Sequence, residues 1–106
     1  IVTGGMSIDP DDKTPGAIKS TGADIITYGT PILPGAMLLF SYLDGIPLFG
    51  LPGCVMFART TAFDLLLPRV LAGEKIDRKD ITRMGYGGQC LGCETCTFPN
   101  CHFGKY

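Results

Sequence analysis

The sequence predicts an α/β domain, on three observations. Apolar, β-rich runs at 23–28, 37–43 and 46–51 are interleaved with segments that carry helix signals. The second and third runs are separated only by Asp44-Gly45, a hairpin signal because such a turn takes positive φ at both central positions. Hydrophobic residues make up 45% of the 106 residues and charged ones 18%, which suits a buried core. The length fits one small domain and leaves no room for a second full one.

The elements follow in chain order. Ile1-Val2-Thr3-Gly4-Gly5 reads as the end of a strand entering a glycine loop, with no initiating Met, so further sequence is expected upstream. Asp9-Pro10-Asp11-Asp12 is too polar and constrained for a strand. Thr14-Pro15 supplies an N-cap and a proline at the first helical position, predicting a short helix over 15–21 that Gly22 stops. The adjacent Ile25 and Ile26 suit a strand buried on both faces, and the prolines and glycines of 29–35 make a rigid loop. The runs 37–43 and 46–51 form an antiparallel pair, and Gly50-Leu51-Pro52-Gly53 is a tight turn. A packed helix is predicted over 55–71, with Phe57, Thr61, Asp64 and Leu65 on one face and Pro68 as a kink or break. Composition shifts at Gly73, which divides the chain into a domain over 1–73 and a linker with a cysteine-rich tail over 74–106.

Nine basic and ten acidic side chains nearly cancel, so the chain has no electrostatic footprint for nucleic acid or an anionic membrane. The longest apolar run, Ala36 to Phe40, is far short of the ~20 residues of a membrane span. A small ligand or a protein partner fits this balance better.

A strand that ends in glycines before a helix brings backbone N–H groups against an anionic ligand, although the same pattern serves ordinary turns. Here Thr3-Gly4-Gly5, Pro10, Asp12 and Thr14-Pro15 together resemble the loop of the molybdopterin-binding family, which includes molybdenum-cofactor biosynthesis proteins and the scaffold gephyrin. A second block, Leu33-Pro34-Gly35 followed by Ile46-Pro47-Leu48-Phe49-Gly50-Leu51-Pro52-Gly53, is similar to the Pro-Gly and Gly-Leu-Pro-Gly segments of the family's molybdenum-insertion branch. The resemblance covers roughly residues 1–72.

The resemblance implies a three-layer α/β molybdopterin-binding-like domain whose first strand and helix units lie upstream. Its ligand would be molybdopterin or the nucleotide form. Thr3, Gly4, Gly5 and Asp12 would contact the cofactor, Ser7 would donate to it, and Pro52 and Gly53 would form a second wall. Asp12 could accept from pterin N–H groups or hold an ion such as Mg2+, whereas Asp9 and Asp11 read as solvated. Homo-oligomers are implied as well. Two departures stand out: Leu33 and Ala36 flank the Pro-Gly turn where the insertion branch carries lysines, and Cys54-Val55 follows Gly-Leu-Pro-Gly where a polar residue and a proline are usual. Cys54 is either a ligand to the cofactor's metal or a small residue packed at a helix start.

In the tail, Cys90, Cys93, Cys96 and Cys101 have the spacing C-x2-C-x2-C-x4-C. Thiolates so closely spaced converge on a soft metal, and Gly87, Gly88 and Gly92 leave the backbone free to wrap it. Zinc and a [4Fe–4S] cluster both fit the spacing. His102 is an alternative fourth ligand or a solvated neighbour, and Tyr86, Phe98, Phe103 and Tyr106 read as an apolar cover. A metal is preferred to disulfides because a cytoplasmic α/β domain keeps its thiols reduced. The function expected is binding of molybdopterin in cofactor biosynthesis or delivery, with an adenylyl- or molybdenum-transferase activity open. The alternative is a non-catalytic binding or sensor module that docks a partner, such as a molybdoenzyme, through the tail.

Overall fold

The computed structural model describes residues 1–6 and 13–106, so the expectations for Ser7, Asp12 and the polar stretch between them lie outside the described residues. The elements are α1 (Thr14–Ser20), β1 (Asp24–Tyr28), β2 (Leu39–Leu43), β3 (Ile46–Gly50), a 3-10 turn (Gly53–Met56), α2 (Ala62–Leu71), α3 (Arg78–Met84) and a last 3-10 turn (Gly85–Gly87). The α/β class read from the sequence holds.

The hairpin forms as expected, with Asp44 at φ 52° and Gly45 at φ 79°, and Leu43 opposite Ile46. All three strands are antiparallel in the order β1-β2-β3. The expectation that β1 is buried on both faces fails. It lies at the sheet edge with a bulge between Ile25 and Thr27, and Ile25 and Ile26 are only half-buried. An edge strand has a neighbour on one side only, so its side chains are covered less.

Alternation along β2 builds two cores. Leu39 packs with Met6 and Ile18 of α1, and with Ile25 and Leu48. Phe40 faces the other way, into a larger core with Phe49, Ala62 and Leu66 of α2, and Ile81 and Met84 of α3. The rings of Phe40 and Phe49 stand 4.8 Å apart, and Phe49 meets Phe63 edge-on at 5.1 Å. Helices therefore cover both faces of the sheet.

The helix expected over 55–71 is shorter and starts later. Thr61 is extended (φ −138°, ψ 177°); its hydroxyl accepts from the Phe63 N–H, while the Asp64 carboxylate accepts from the Thr61 N–H at 2.7 Å. This capping box starts α2 at Ala62 and overrides the apolar periodicity that ran through 55–60. Pro68 sits inside α2 without ending it, and Gly73 (φ 83°) follows its C-terminus as expected. The charged segment after Gly73 holds a helix that periodicity did not mark: Asp77 and Asp80 form a second capping box, and Ile76, Ile81 and Met84 are buried. Among the described residues, no helix is long and apolar enough to cross a membrane.

Arg69 in the last turn of α2 reaches both Glu74, with contacts of 2.9 and 2.5 Å, and Asp80 of α3 at 3.5 Å. The hydrogen bond from Arg69 lowers the Glu74 carboxyl below its usual range, and the same bond holds the guanidinium above its own. Asp80 is lowered first by the Asp77 backbone N–H and then by its other neighbours. Carboxylates depressed in the folded state contribute stability above their unfolded pKa and lose it as pH falls through the folded one. Thermal stability should accordingly be level near neutrality and decline below about pH 4, less steeply in Arg69→Gln, as read by melting curves from pH 7 to 3. Thr61→Ala should cost about 1 kcal/mol in urea unfolding through loss of the cap.

Candidate functional site

The two sequence blocks that resemble a cofactor loop meet in space. Val2 lies parallel to the end of β3: its N–H donates to the Phe49 carbonyl at 2.7 Å, and its carbonyl accepts from Leu51 N–H at 2.9 Å. Thr3-Gly4-Gly5 consequently leaves the sheet beside Leu51-Pro52-Gly53. Gly50 lies under the buried Met6, whose sulfur would stand 2.7 Å from a Cβ at that position and would have to shift to admit one.

Gly4 and Gly5 both have φ near +106°, at 107° and 106°, a conformation that side chains rarely adopt. Thr3 and Gly4 are exposed and Gly5 half-buried. On the opposite turn Pro52 is buried at the base and Gly53 exposed at the rim. Thr14 is the first helical residue and does not cap α1; its hydroxyl donates to the Gly4 carbonyl at 2.9 Å and ties the helix to the glycine loop. Beside this loop the Tyr28 hydroxyl donates to the Met6 carbonyl at 2.7 Å. A cleft of about 320 Å3 runs between α1 and the sheet, lined by Pro15, Gly16, Lys19, Ile25, Tyr28 and Leu39. It offers an apolar wall, a phenol and one ammonium group. Cys54 is half-buried in the 3-10 turn that follows Gly53.

The Leu33-Pro34-Gly35 turn is braced on α2. The Pro34 carbonyl accepts from Ala62 N–H at 2.9 Å, and a Cβ on Gly35 (φ 111°) would lie 2.8 Å from both the Ala62 nitrogen and its Cβ. No lysine flanks the turn, but Arg59 shares a groove of about 320 Å3 with Pro34, Thr60 and three tail cysteines. Sequence reasoning placed Arg59 inside a helix and missed it. So too were Lys19 and Tyr28 missed, since nothing in their spacing marks a site.

The cysteine tail docks against the same turn. Leu33 N–H donates to Gly88 O at 2.7 Å, and Cys90 N–H to Leu33 O at 2.8 Å. Gly87 and Gly88 serve close approach here rather than wrapping of a centre: Cβ atoms on them would stand 2.2 Å from the His102 carbonyl and 2.1 Å from that of Pro31. Cys90, Cys93, Cys96 and Cys101, all free thiols, border one small cavity of about 40 Å3 together with Thr60 and His102. Among the described residues no three His, Cys, Asp or Glu side chains stand close enough to hold an ion, so the thiols share a cavity without forming a finished ligand set. The His102 ring pairs through Nε2 with the Gln89 carbonyl at 2.8 Å. Of the expected aromatic cover, Phe103 is buried and Phe98 half-buried, with ring centroids 6.3 Å apart, whereas Tyr86 and Tyr106 are exposed.

Gly35 and Gly53, on the two Pro-Gly turns, should respond unequally to a methyl group. Gly35→Ala meets backbone and a positive φ, and should lose about 2 kcal/mol or more in urea unfolding. Gly53→Ala has open space around it and should stay within about 0.5 kcal/mol of the parent.

A family model described as a probable molybdopterin binding domain matches residues 1–72. No curated protein and no solved structure matches the chain.

Proposed function

The chain belongs to the molybdopterin-binding domain family, and from that premise we propose that the paired turns at 3–5 and 50–53 bind molybdopterin or its nucleotide form, in a step of molybdenum-cofactor biosynthesis or delivery. The observation that carries the reading is the parallel pairing of Val2 with Gly50, which sets the two glycine turns side by side.

The donor set suits such a ligand. Exposed backbone at Thr3 and Gly4 offers N–H groups to a phosphate without needing a net positive charge, and the Thr3 hydroxyl adds a further donor. Lys19, on α1 beside the neighbouring cleft, supplies a cation within the same region. The apolar wall of Ile25 and Leu39 in that cleft suits a flat heterocycle, because ligand sites combine apolar lining with a few placed polar groups. Ser7 and Asp12 belong to the proposal from their place in the sequence motif, Asp12 as acceptor from pterin N–H groups or as a contact to Mg2+. We take the ligand domain to end at Gly73, a reading supported by the shift to charged residues after it and by a family match that covers 1–72.

A second reading is a non-catalytic module that holds the cofactor for a partner such as a molybdoenzyme, as a homo-oligomer or through the cysteine tail. Apolar Leu33 and Ala36 beside the Pro34 turn favour it, since neither can hold a molybdate there. Arg59 across the groove favours the catalytic reading, because its guanidinium can take an oxyanion. In either case the setting is a reducing, cytoplasmic one, a reading supported by five cysteines that stand as free thiols.

Calorimetry with molybdopterin tests the proposal. The parent chain should bind at micromolar concentration, and Gly5→Val, which cannot hold φ near +106° without strain, should weaken binding at least about tenfold, or ~1.4 kcal/mol. Absence of heat from the parent chain sinks the ligand assignment, and parent-like affinity in Gly5→Val removes the glycine loop from it. Turnover of molybdopterin with nucleotide or molybdate, lost in Arg59→Ala, decides for catalysis over the module.

A further inference from the structure

Four reactive side chains stand outside the cofactor reading: the thiols of the tail. Backbone hydrogen bonds place the two ends of this segment. Cys90 is fixed by its N–H on Leu33 O, and Cys101 by its N–H on Pro99 O at 2.9 Å. Gly104 N–H on Gly87 O, at 2.7 Å, closes the loop between them. Cys90 and Cys101 are half-buried against the larger core, whereas Cys93 and Cys96 lie on the exposed stretch that joins them.

We propose that Cys90, Cys93, Cys96 and Cys101 form a four-thiolate site for a single soft divalent ion of the zinc type. The two half-buried thiols form the inner side of the site, and the exposed pair swings in to complete it. Gly92, at φ 64° with open space around it, provides the pivot between Cys90 and Cys93. Among the described residues no three of these ligands stand close enough to hold an ion, so the exposed pair must move as the ion arrives. As each sulfur–metal bond forms, its thiol releases a proton to solvent.

Donor type and charge support the ion. All four thiols border the shared cavity of about 40 Å3, and an all-sulfur donor set suits a soft metal. A divalent ion with four thiolates carries a net double negative charge. Two cations flank it: Arg59 lines the groove shared by Cys90, Cys93 and Cys96, and the Lys105 ammonium caps the carbonyls of Pro99 and Cys101. The Thr60 hydroxyl, 3.8 Å from the Cys90 sulfur, is placed to donate to a thiolate and hold its orientation. Phe98 and Phe103 shield the inner side from water.

The test uses the full chain purified without oxygen and without chelator. Elemental analysis should find about one zinc per chain in colourless protein, and the metal-free form should take up Co2+ with the ligand-field spectrum of tetrahedral thiolate coordination. Cys93→Ser and Cys96→Ser, whose side chains are exposed, should keep the parent's circular dichroism and lose at least about nine-tenths of the metal, while Cys54→Ser retains it. The proposal is overturned by protein that takes up neither Zn2+ nor Co2+, by variants that keep the metal, or by iron with sulfide and a band near ~400 nm. Molybdopterin affinity measured on the same samples reports on the cofactor site separately, so failure of one reading leaves the other standing.

Discussion

The central strand sends Leu39 to one face of the sheet and Phe40 to the other, and both helical layers pack on that alternation. Side chains that stand fully buried on each face contribute roughly 1.5–3 kcal/mol apiece, so a register slip of one residue in β2 would turn both cores inside out. The Asp44-Gly45 turn sets that register by pairing Leu43 with Ile46. Everything that presents the site hangs from this hairpin: Val2 pairs along β3, and α2 packs over Phe49.

Two segments far apart in sequence are brought to the site by backbone pairing alone. Val2 carries the glycine loop to the 50–53 turn, and Leu33 carries the cysteine tail to the 33–35 turn. At the second contact glycine is needed because the partner backbone passes too near for a Cβ, at Gly88 under the Pro31 carbonyl. The 33–35 turn and the thiol cavity are thus mounted on one scaffold, the turn held by Ala62 at the start of α2 and the cavity bordered by Thr60 just before it.

That shared mounting gives Arg59 its interest. It stands where the chain leaves the 3-10 turn and before Thr61 caps α2, on the groove between Pro34 and the tail cysteines. One guanidinium there can compensate either a bound oxyanion or a thiolate centre, which connects the chemistry of the family match to the segment beyond residue 72.

Much of this was legible in residue order. The hairpin, the first helix and the 29–35 loop depend on signals within a few residues, where turn chemistry and a proline at the helix start act directly. The Thr61-x-x-Asp64 and Asp77-x-x-Asp80 boxes were equally local, but apolar periodicity hid the first and a charged composition hid the second. What residue order could not decide was which edge β1 would occupy, that Val2 would lie beside Gly50, and that the thiols would gather round a cavity under Thr60. Those outcomes are set by packing between segments distant along the chain. Sequence alone determined the chemistry each segment carries, and only the tertiary structure decided which chemistries meet, because proximity across the fold is a property of the two buried cores and not of any one segment.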